Sequence, residues 1–296
     1  IGPQLIIATA WNIGAFSALL SRFLSHKTMI IYHGLEVTKK LSTKRLLKLR
    51  HTLERATYNI AVSKFTAEAI HSKFQSLKNL HVVQNGIDPK RFYPEPKPQR
   101  LVNQYHLVDK KVIMTLARVI ERKGHDTVIR AMAELIKTEP QLIYLIAGGF
   151  DAEYRKRLEK LISESGLEKS VIFSGYIPDV EILDYYNLCD IYIMVSKDSN
   201  EKGDTEGFGI TYLEANACEK PVIGSNLHGI PDAIEDGVSG FLIEADDHLV
   251  LIEIVQKLLA KPEYARQIGK QGRQRVLNGF TWDIVTKELL AIVENE

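Results

Sequence analysis

Short apolar runs alternate with amphipathic stretches along the 296-residue chain. The runs include Leu5–Ala8, Met29–Tyr32, Val112–Ala117, Leu142–Ala147 and Ile191–Val195. Continuous apolar runs are typical of strands that are buried on both faces. Strands that alternate with helices pair in parallel through right-handed crossovers. The sequence therefore predicts an α/β fold built from doubly wound sheets.

A proline-rich segment divides these elements into two groups. Tyr93–Pro98 holds three prolines, a composition typical of a linker, and the chain exceeds the usual size of one domain. We therefore predict a first domain over residues 1–98 and a second over residues 99–280. Two such domains would face each other across a cleft, which is a common place for ligand sites.

The composition is that of an ordinary globular protein, with 45% hydrophobic and 25% charged residues. No apolar run approaches the roughly 20 residues that span a bilayer. The apolar opening is short and lacks a basic leader and a cleavage site, so we predict no signal peptide. Cys189 and Cys218 fall in apolar stretches predicted to be helical, which favours buried thiols over a disulfide or a metal site. These features predict a cytoplasmic protein.

The net charge of +1 conceals an asymmetry between the two halves of the chain. Residues 1–100 hold 16 Lys or Arg against 5 Asp or Glu, whereas the remainder holds 22 against 32. The densest basic stretch, Lys39–Arg55, carries leucines at helical spacing. It is either an amphipathic helix that lies peripherally on anionic membrane or a surface helix whose leucines face its own core. Nucleic acid is a poorer partner, because the stretch lacks interleaved aromatic residues.

The segment Glu206–Glu214 combines two carboxylates with a glycine-aromatic-glycine turn. It follows the apolar run Ile191–Val195 and leads into a helical pattern from Tyr212. In an open α/β sheet, this order places backbone amides and a helix N-terminus where anionic ligands bind. Both glutamates can accept hydrogen bonds from hydroxyls of one long ligand. A sugar nucleotide carries such hydroxyls at each end of its diphosphate.

Residues 206–210, EGFGI, and residues 213–223, LEANACEKPVI, resemble the paired-glutamate signature of retaining glycosyltransferases with the GT-B fold, in particular glycosyltransferase family four. The resemblance covers residues 101–296 throughout, whereas residues 1–92 match only the later part of the family's first domain. It implies two Rossmann-like, doubly wound domains facing a cleft, with a final helix over residues 281–296 that packs back on the first domain. It also implies hexose transfer from a nucleoside-diphosphate sugar to a glycan or lipid-linked acceptor, with retention and without a metal ion.

A second motif, Ala117–Gly124, follows a predicted strand and precedes a predicted helix. Arg118 and Lys123 lie five residues apart on this loop, so both can converge on one diphosphate. Arginine offers bidentate geometry and lysine a compact point charge. The resemblance implies that they bind the donor diphosphate and stabilise the leaving group.

The resemblance also assigns the remaining site residues. His33, which precedes a glycine at a strand end, would position the sugar or acceptor, and Ile177 would contact the nucleobase. Glu206 would hold the hexose hydroxyls and Glu214 the ribose. The predicted catalytic residues are His33, Arg118, Lys123 and Glu206. The predicted donor-binding residues are Gly207, Phe208, Gly209, Ile210, Glu214 and Ile177.

No metal-ligand motif and no cofactor motif occurs in the sequence, so the nucleotide sugar is predicted as a substrate and no cofactor is predicted. Two other functions fit the same scaffold. One is a sugar-nucleotide epimerase, which needs no acceptor. The other is a non-catalytic nucleotide-sugar-binding module. A phosphorylase would need pyridoxal phosphate, for which there is no lysine motif.

The chain departs from the family pattern at its start. Family members open with a strand and a glycine-rich turn well before the motif around His33, and here His33 comes early in a chain that begins at Ile1. The sequence therefore indicates an N-terminal domain that is incomplete or unusually small.

Overall fold

The computed structural model describes residues 4–21, 23, 26–74, 77, 79–198 and 204–295. The chain divides into two compact units. Unit 1 comprises Ile1–Asn85, Asp198–Phe208 and Val285–Glu296, and unit 2 comprises Gly86–Lys197 and Gly209–Ile284.

Unit 1 is built on a parallel sheet of four strands in the order β1-β2-β3-β4. The strands are β1 (Leu5–Ala8), β2 (Lys27–Tyr32), β3 (Tyr58–Ala61) and β4 (Leu80–Val82). The helices between them are α1 (Trp11–Leu20), α2 (Leu35–Thr38), α3 (Thr43–Arg55) and α4 (Lys64–Lys73). From Val285 onward, the last helix of the chain packs against Met29, Tyr58 and Ile60 of this sheet.

Unit 2 is built on a parallel sheet of six strands. The strands are β5 (Lys111–Leu116), β6 (Leu142–Ala147), β7 (Val171–Gly175), β8 (Ile191–Met194), β9 (Val222–Ser225) and β10 (Gly240–Ile243). The helices before β8 are α5 (Gln99–Gln104), α6 (His125–Thr138), α7 (Ala152–Glu164) and α8 (Ile182–Leu188). Those after it are α9 (Ile210–Ala217), α10 (Ile230–Ala233), α11 (His248–Ala260), α12 (Pro262–Gly279) and α13 (Trp282–Glu294), whose end belongs to unit 1.

The strand order in unit 2 is β10-β9-β8-β5-β6-β7. The chain therefore winds from β5 towards β7 on one side and from β8 towards β10 on the other. The winding reverses between β5 and β8, and ligands of such sheets bind beside the carboxyl ends of the strands at this reversal. The α/β prediction with two doubly wound parallel sheets is confirmed.

Both cysteines are buried and free. Burial raises the pKa of each thiol to about 12, so the prediction of buried thiols is confirmed. Their predicted placement inside helices is wrong by a residue, because Cys189 and Cys218 follow the last residues of α8 and α9. Across the described ranges, every helix is too short or too polar to cross a membrane.

A buried polar network fastens the loop after β5 to the sheet. Nδ1 of His125 lies 3.0 Å from the Tyr144 hydroxyl, which lies 2.9 Å from the Thr115 hydroxyl. Nε2 of His125 lies 3.4 Å from the carbonyl oxygen of Arg118. The imidazole is fully buried, and this burial lowers its pKa to about 4. A neutral His125 therefore ties the backbone at Arg118 to strands β5 and β6.

We expect His125 to make the stability of the protein sensitive to pH. The unfolded chain takes up a proton near pH 6.5 that the folded chain excludes until about pH 4. The free energy of unfolding should therefore fall by roughly 3 kcal/mol as the pH drops across this window. Denaturant unfolding of His125→Asn should show a flatter dependence on pH than the wild type.

The matched control is His106→Asn, which changes an exposed histidine whose positive φ of 55° asparagine tolerates. It should keep the wild-type slope. A His125→Asn profile parallel to the wild-type profile would contradict the assignment.

Candidate functional site

Two cations follow β5 at the winding reversal of unit 2. Arg118 is exposed on the loop, and Lys123 ends a short 3₁₀ turn over Glu121–Lys123. Nζ of Lys123 lies 3.3 Å from Sδ of Met194, the last residue of β8. The structure thus places Lys123 against β8, the strand that neighbours β5 at the reversal.

A glycine allows this close packing. Gly124 has a φ of +69°, and a Cβ atom at this position would lie 1.9 Å from the carbonyl oxygen of Val195. Any other residue would push the Lys123 turn away from the end of β8.

On the other side of the reversal, the chain enters α9 through Gly209. Gly209 has a φ of +94° and is the N-cap of the helix, and as a glycine it has no side chain of its own to cap the first turn. The amide of Tyr212 in the first helical turn donates a hydrogen bond of 3.1 Å to the carbonyl oxygen of Gly209, and the positive end of the helix dipole lies at this edge of the sheet, where it favours an anion. Ile210 begins the helix and is partly exposed.

Glu214 lies further along α9 and is held by a buried aromatic side chain. The Tyr186 hydroxyl donates a hydrogen bond of 2.6 Å to Oε2 of Glu214. Burial raises the pKa of Glu214 above its usual value, and the hydrogen bond from Tyr186 offsets only part of this increase. The ring of Tyr186 packs against the ring of Tyr192 with centroids 5.8 Å apart. The carboxylate is thus fixed in position before any ligand binds.

Ile177 follows β7, which β6 separates from β5. Its side chain is buried. A nucleobase at this loop would therefore meet the backbone rather than the isoleucine side chain.

The other predicted residues lie in unit 1, where the structure brings two of the motifs together. His33 follows β2 and is exposed. Its backbone amide donates a hydrogen bond of 2.6 Å to Oε1 of Glu36, and its Nε2 lies 3.0 Å from the carbonyl oxygen of Thr9. A Cβ atom at Gly207 would lie 1.9 Å from the carbonyl oxygen of His33. Only glycine allows the segment with Glu206 to lie this close to the histidine loop.

Two further contacts hold the same arrangement in unit 1. The hydroxyls of Thr38 and Thr205 lie 3.0 Å apart, and Lys39 Nζ lies 3.0 Å from Oδ1 of Asp204. Glu206 is half-buried and Phe208 is buried. Thr38 and Thr205 carried no motif signal, because their pairing depends on two segments that are distant in sequence.

The basic stretch Lys39–Arg55 contains α3, and its leucines divide between core and surface. Leu49 and Leu53 are buried, whereas Leu46 and Leu47 are 38% and 51% exposed. A groove of about 390 Å³ lies between α1 and α3. Four basic side chains from one face of α3 line it: Lys44, Lys48, His51 and Arg55. The interpretation in which leucines face the core therefore holds for Leu49 and Leu53, and contact of the exposed face with anionic membrane stays a prediction.

Some site-supporting residues were missed in the sequence. Tyr144 lies in an apolar run, and His125 and Tyr186 belong to no motif in the sequence, so only their contacts reveal a role. Among the described residues, no three His, Cys, Asp or Glu side chains stand together as a metal site.

Two family models cover most of the chain. Residues 100–275 match the model described as Glycosyl transferases group 1, and residues 1–91 match the model described as Glycosyltransferase Family 4.

Among curated relatives, the GDP-mannose-dependent alpha-(1-6)-phosphatidylinositol monomannoside mannosyltransferase of Mycolicibacterium smegmatis is 32% identical over 251 residues. The match covers 84% of this chain and 65% of the relative. The D-inositol 3-phosphate glycosyltransferase of Thermobifida fusca is 25% identical over 76% of this chain and 52% of the relative. The chain thus spans less than two thirds of the length of either protein.

Solved structures share the fold. Anabaena Alr3699/HepE in complex with UDP superposes with a TM-score of 0.89 at 22% identity, over 99% of this chain and 79% of that one. Sucrose-phosphate synthase from Thermosynechococcus elongatus gives a TM-score of 0.82 at 28% identity, over 99% of this chain and 73% of that one. With the parallel sheets and the matched family models, these likenesses establish that the chain has the GT-B fold and belongs to the glycosyl transferases group 1, within glycosyltransferase family 4.

Proposed function

We propose that the chain binds a nucleoside-diphosphate sugar and transfers its hexose to an acceptor. The observation that most supports this is the pair of anion-binding features at the winding reversal of unit 2. Arg118 and Lys123 follow β5, and the start of α9, with glycine as its N-cap, follows β8. Together they provide two positive charges and a helix N-terminus for a diphosphate.

In this proposal, Glu214 accepts hydrogen bonds from the ribose, and Ile177 lies at the base. His33 and Glu206, which unit 1 brings together, contact the hexose. The bond between the anomeric carbon and the diphosphate oxygen breaks as the acceptor oxygen bonds to that carbon. The acceptor proton passes to the departing diphosphate, whose developing charge Arg118 and Lys123 stabilise. The family resemblance supports retention of configuration and catalysis without a metal ion.

The relative from Mycolicibacterium smegmatis is named as GDP-mannose-dependent, so we propose GDP-mannose as the first donor to test. Calorimetric titration of GDP, UDP and ADP should give tight binding of one nucleotide to the wild type. Arg118→Ala and Lys123→Ala should each weaken its binding by about tenfold to 100-fold, because each removes a charge-assisted contact to phosphate. Hexose transfer should fall further, since the same charges stabilise the leaving group.

The control is Arg266→Ala, which removes an exposed arginine paired with Glu263 on α12. It should bind nucleotide like the wild type. Wild-type affinity in both Arg118→Ala and Lys123→Ala would overturn the donor site.

The Tyr186 bond to Glu214 leads to a pH prediction. The ionised carboxylate accepts hydrogen bonds from the ribose hydroxyls more strongly than the protonated carboxyl group does. Tyr186→Phe removes the hydrogen bond that lowers the pKa of Glu214, and burial then raises that pKa further. As the pH falls, the variant should therefore lose nucleotide affinity at a higher pH than the wild type does. Dissociation constants measured between about pH 5 and 8 test this.

Tyr185→Phe is the matched control, because the neighbouring hydroxyl lies 2.7 Å from the hydroxyl of Tyr105. This variant should follow the wild-type curve. Identical curves for Tyr186→Phe and the wild type would show that Glu214 does not carry the proposed contact.

The groove between α1 and α3 supports a proposal for the acceptor side. Its basic side chains, together with the exposed Leu19 and Leu47, combine attraction to phosphate with apolar contact, as peripheral membrane surfaces do. The relative from Mycolicibacterium smegmatis is named for a phosphatidylinositol mannoside acceptor. We propose that this chain works peripherally at a cytoplasmic membrane surface and takes a lipid-linked acceptor.

We expect the chain to sediment with vesicles that contain phosphatidylglycerol and to leave pure phosphatidylcholine vesicles unbound. Lys44→Glu with Lys48→Glu should abolish this, since each basic residue near an anionic surface contributes about 1 kcal/mol. Lys156→Glu with Lys160→Glu, a pair of the same spacing on α7, should retain binding. Equal loss in both double variants would indicate only a response to net charge.

A further inference from the structure

Lys197 sits in a cluster of charges that the proposed function does not use. Its side chain is 14% exposed, and its Nζ lies 2.7 Å from Oδ2 of Asp126 and also contacts Oδ1 of Asp246. The Thr127 hydroxyl donates a hydrogen bond of 2.8 Å to Oδ1 of Asp246. Nη2 of Arg130 lies 3.2 Å from Oδ2 of Asp126. Partial burial would raise the pKa of Asp246, but the hydrogen bonds and the charge of Lys197 lower it, so this carboxylate stays ionised.

The cluster joins three segments at the carboxyl edge of the six-stranded sheet. Lys197 follows β8, Asp126 lies in the first turn of α6, and Asp246 lies in the turn after β10. The segments that hold Lys197 and Asp126 flank the winding reversal, and the segment that holds Asp246 follows β10, the edge strand on the β8 side of the sheet. A single ammonium group therefore connects the β5 side of the reversal to the β8 side.

Lys197 also holds the Lys123 turn from both ends. Its backbone amide donates a hydrogen bond of 2.8 Å to the carbonyl oxygen of Arg122, and its ammonium group binds the carboxylate of Asp126. Lys123 and Gly124 lie between these two anchors. The carbonyl oxygen of Val195, two residues before Lys197, is the atom that a Cβ at Gly124 would strike.

Charge balance gives the cluster a second consequence. Lys197 and Arg130 neutralise Asp126 and Asp246. Without Lys197, an excess negative charge would remain beside the proposed diphosphate site. The side chains of Asp246 and Arg130 are 55% and 47% exposed, and exposed ion pairs add little stability, so a role in stability alone does not explain the arrangement.

We propose that Lys197 is a positioning residue for the donor diphosphate. It fixes the Arg122–Asp126 turn so that the Lys123 ammonium group stays at the end of β8, and it screens the two carboxylates from the bound phosphates. This proposal rests on the proposed function, because it presumes that Lys123 binds diphosphate.

The test compares Lys197→Met, Lys197→Arg and the control Lys137→Met, which removes an exposed lysine of α6 paired with Glu134. The probes are GDP, UDP and their monophosphates. Lys197→Met should weaken binding of the preferred diphosphate by about tenfold or more, because it leaves two carboxylates with one cation. Monophosphate binding should change less, and Lys197→Arg and Lys137→Met should stay near the wild type.

Coupling to Lys123 separates positioning from general damage to the fold. In a Lys123→Ala background, Lys197→Met should weaken diphosphate binding much less than it does in the wild type, because the group that it positions is absent. If Lys197→Met alone does not fold, Lys197→Met with Asp246→Asn removes a charge of each sign and is tested in the same way.

Three results would overturn the inference. They are unchanged diphosphate affinity in Lys197→Met, an equal loss for monophosphate and diphosphate, and full additivity with Lys123→Ala. If the wild type binds none of the nucleotides, the proposed function itself fails, and this outcome is distinct because it precedes any comparison of variants.

Discussion

The parallel pairing of β5 with β8 is the constraint on which the rest of unit 2 depends. Because all six strands are parallel, their carboxyl ends meet at one edge. Because the winding reverses at this pair, the two following loops diverge and leave room between them. Arg118 and Lys123 belong to the first loop, and Lys197 and the start of α9 belong to the second. The candidate donor site is a consequence of strand order.

Close backbone approach occurs beside candidate site residues in each of the two units. Gly124 lies against Val195 in unit 2, and Gly207 lies against His33 in unit 1. In both places a side chain would collide with a carbonyl oxygen, so the glycines determine how near the flanking charged residues come to their neighbours. Lys123 and Glu206 are each adjacent to one of these contacts. Backbone packing therefore positions the two side chains.

Buried polar groups then fix the loops that packing brings together. The neutral imidazole of His125 ties the Arg118 backbone to Tyr144, and the Tyr186 hydroxyl holds Glu214. Such groups are costly to bury without partners, so each network admits few alternative arrangements. A site organised before binding loses less conformational entropy when the ligand arrives.

The sequence by itself determined the α/β class, because apolar runs and amphipathic stretches report burial directly, and it determined the family through the residues around Glu206 and Glu214. It also drew attention to Arg118, Lys123 and His33. Only the tertiary structure decided that β8 lies beside β5, and hence that Lys197 meets Asp126, 71 residues away, and lies in the same cluster as Asp246. Periodicity records which residues are buried along one element. Strand order and long-range ion pairs depend on how separate elements pack, and no local pattern carries that information.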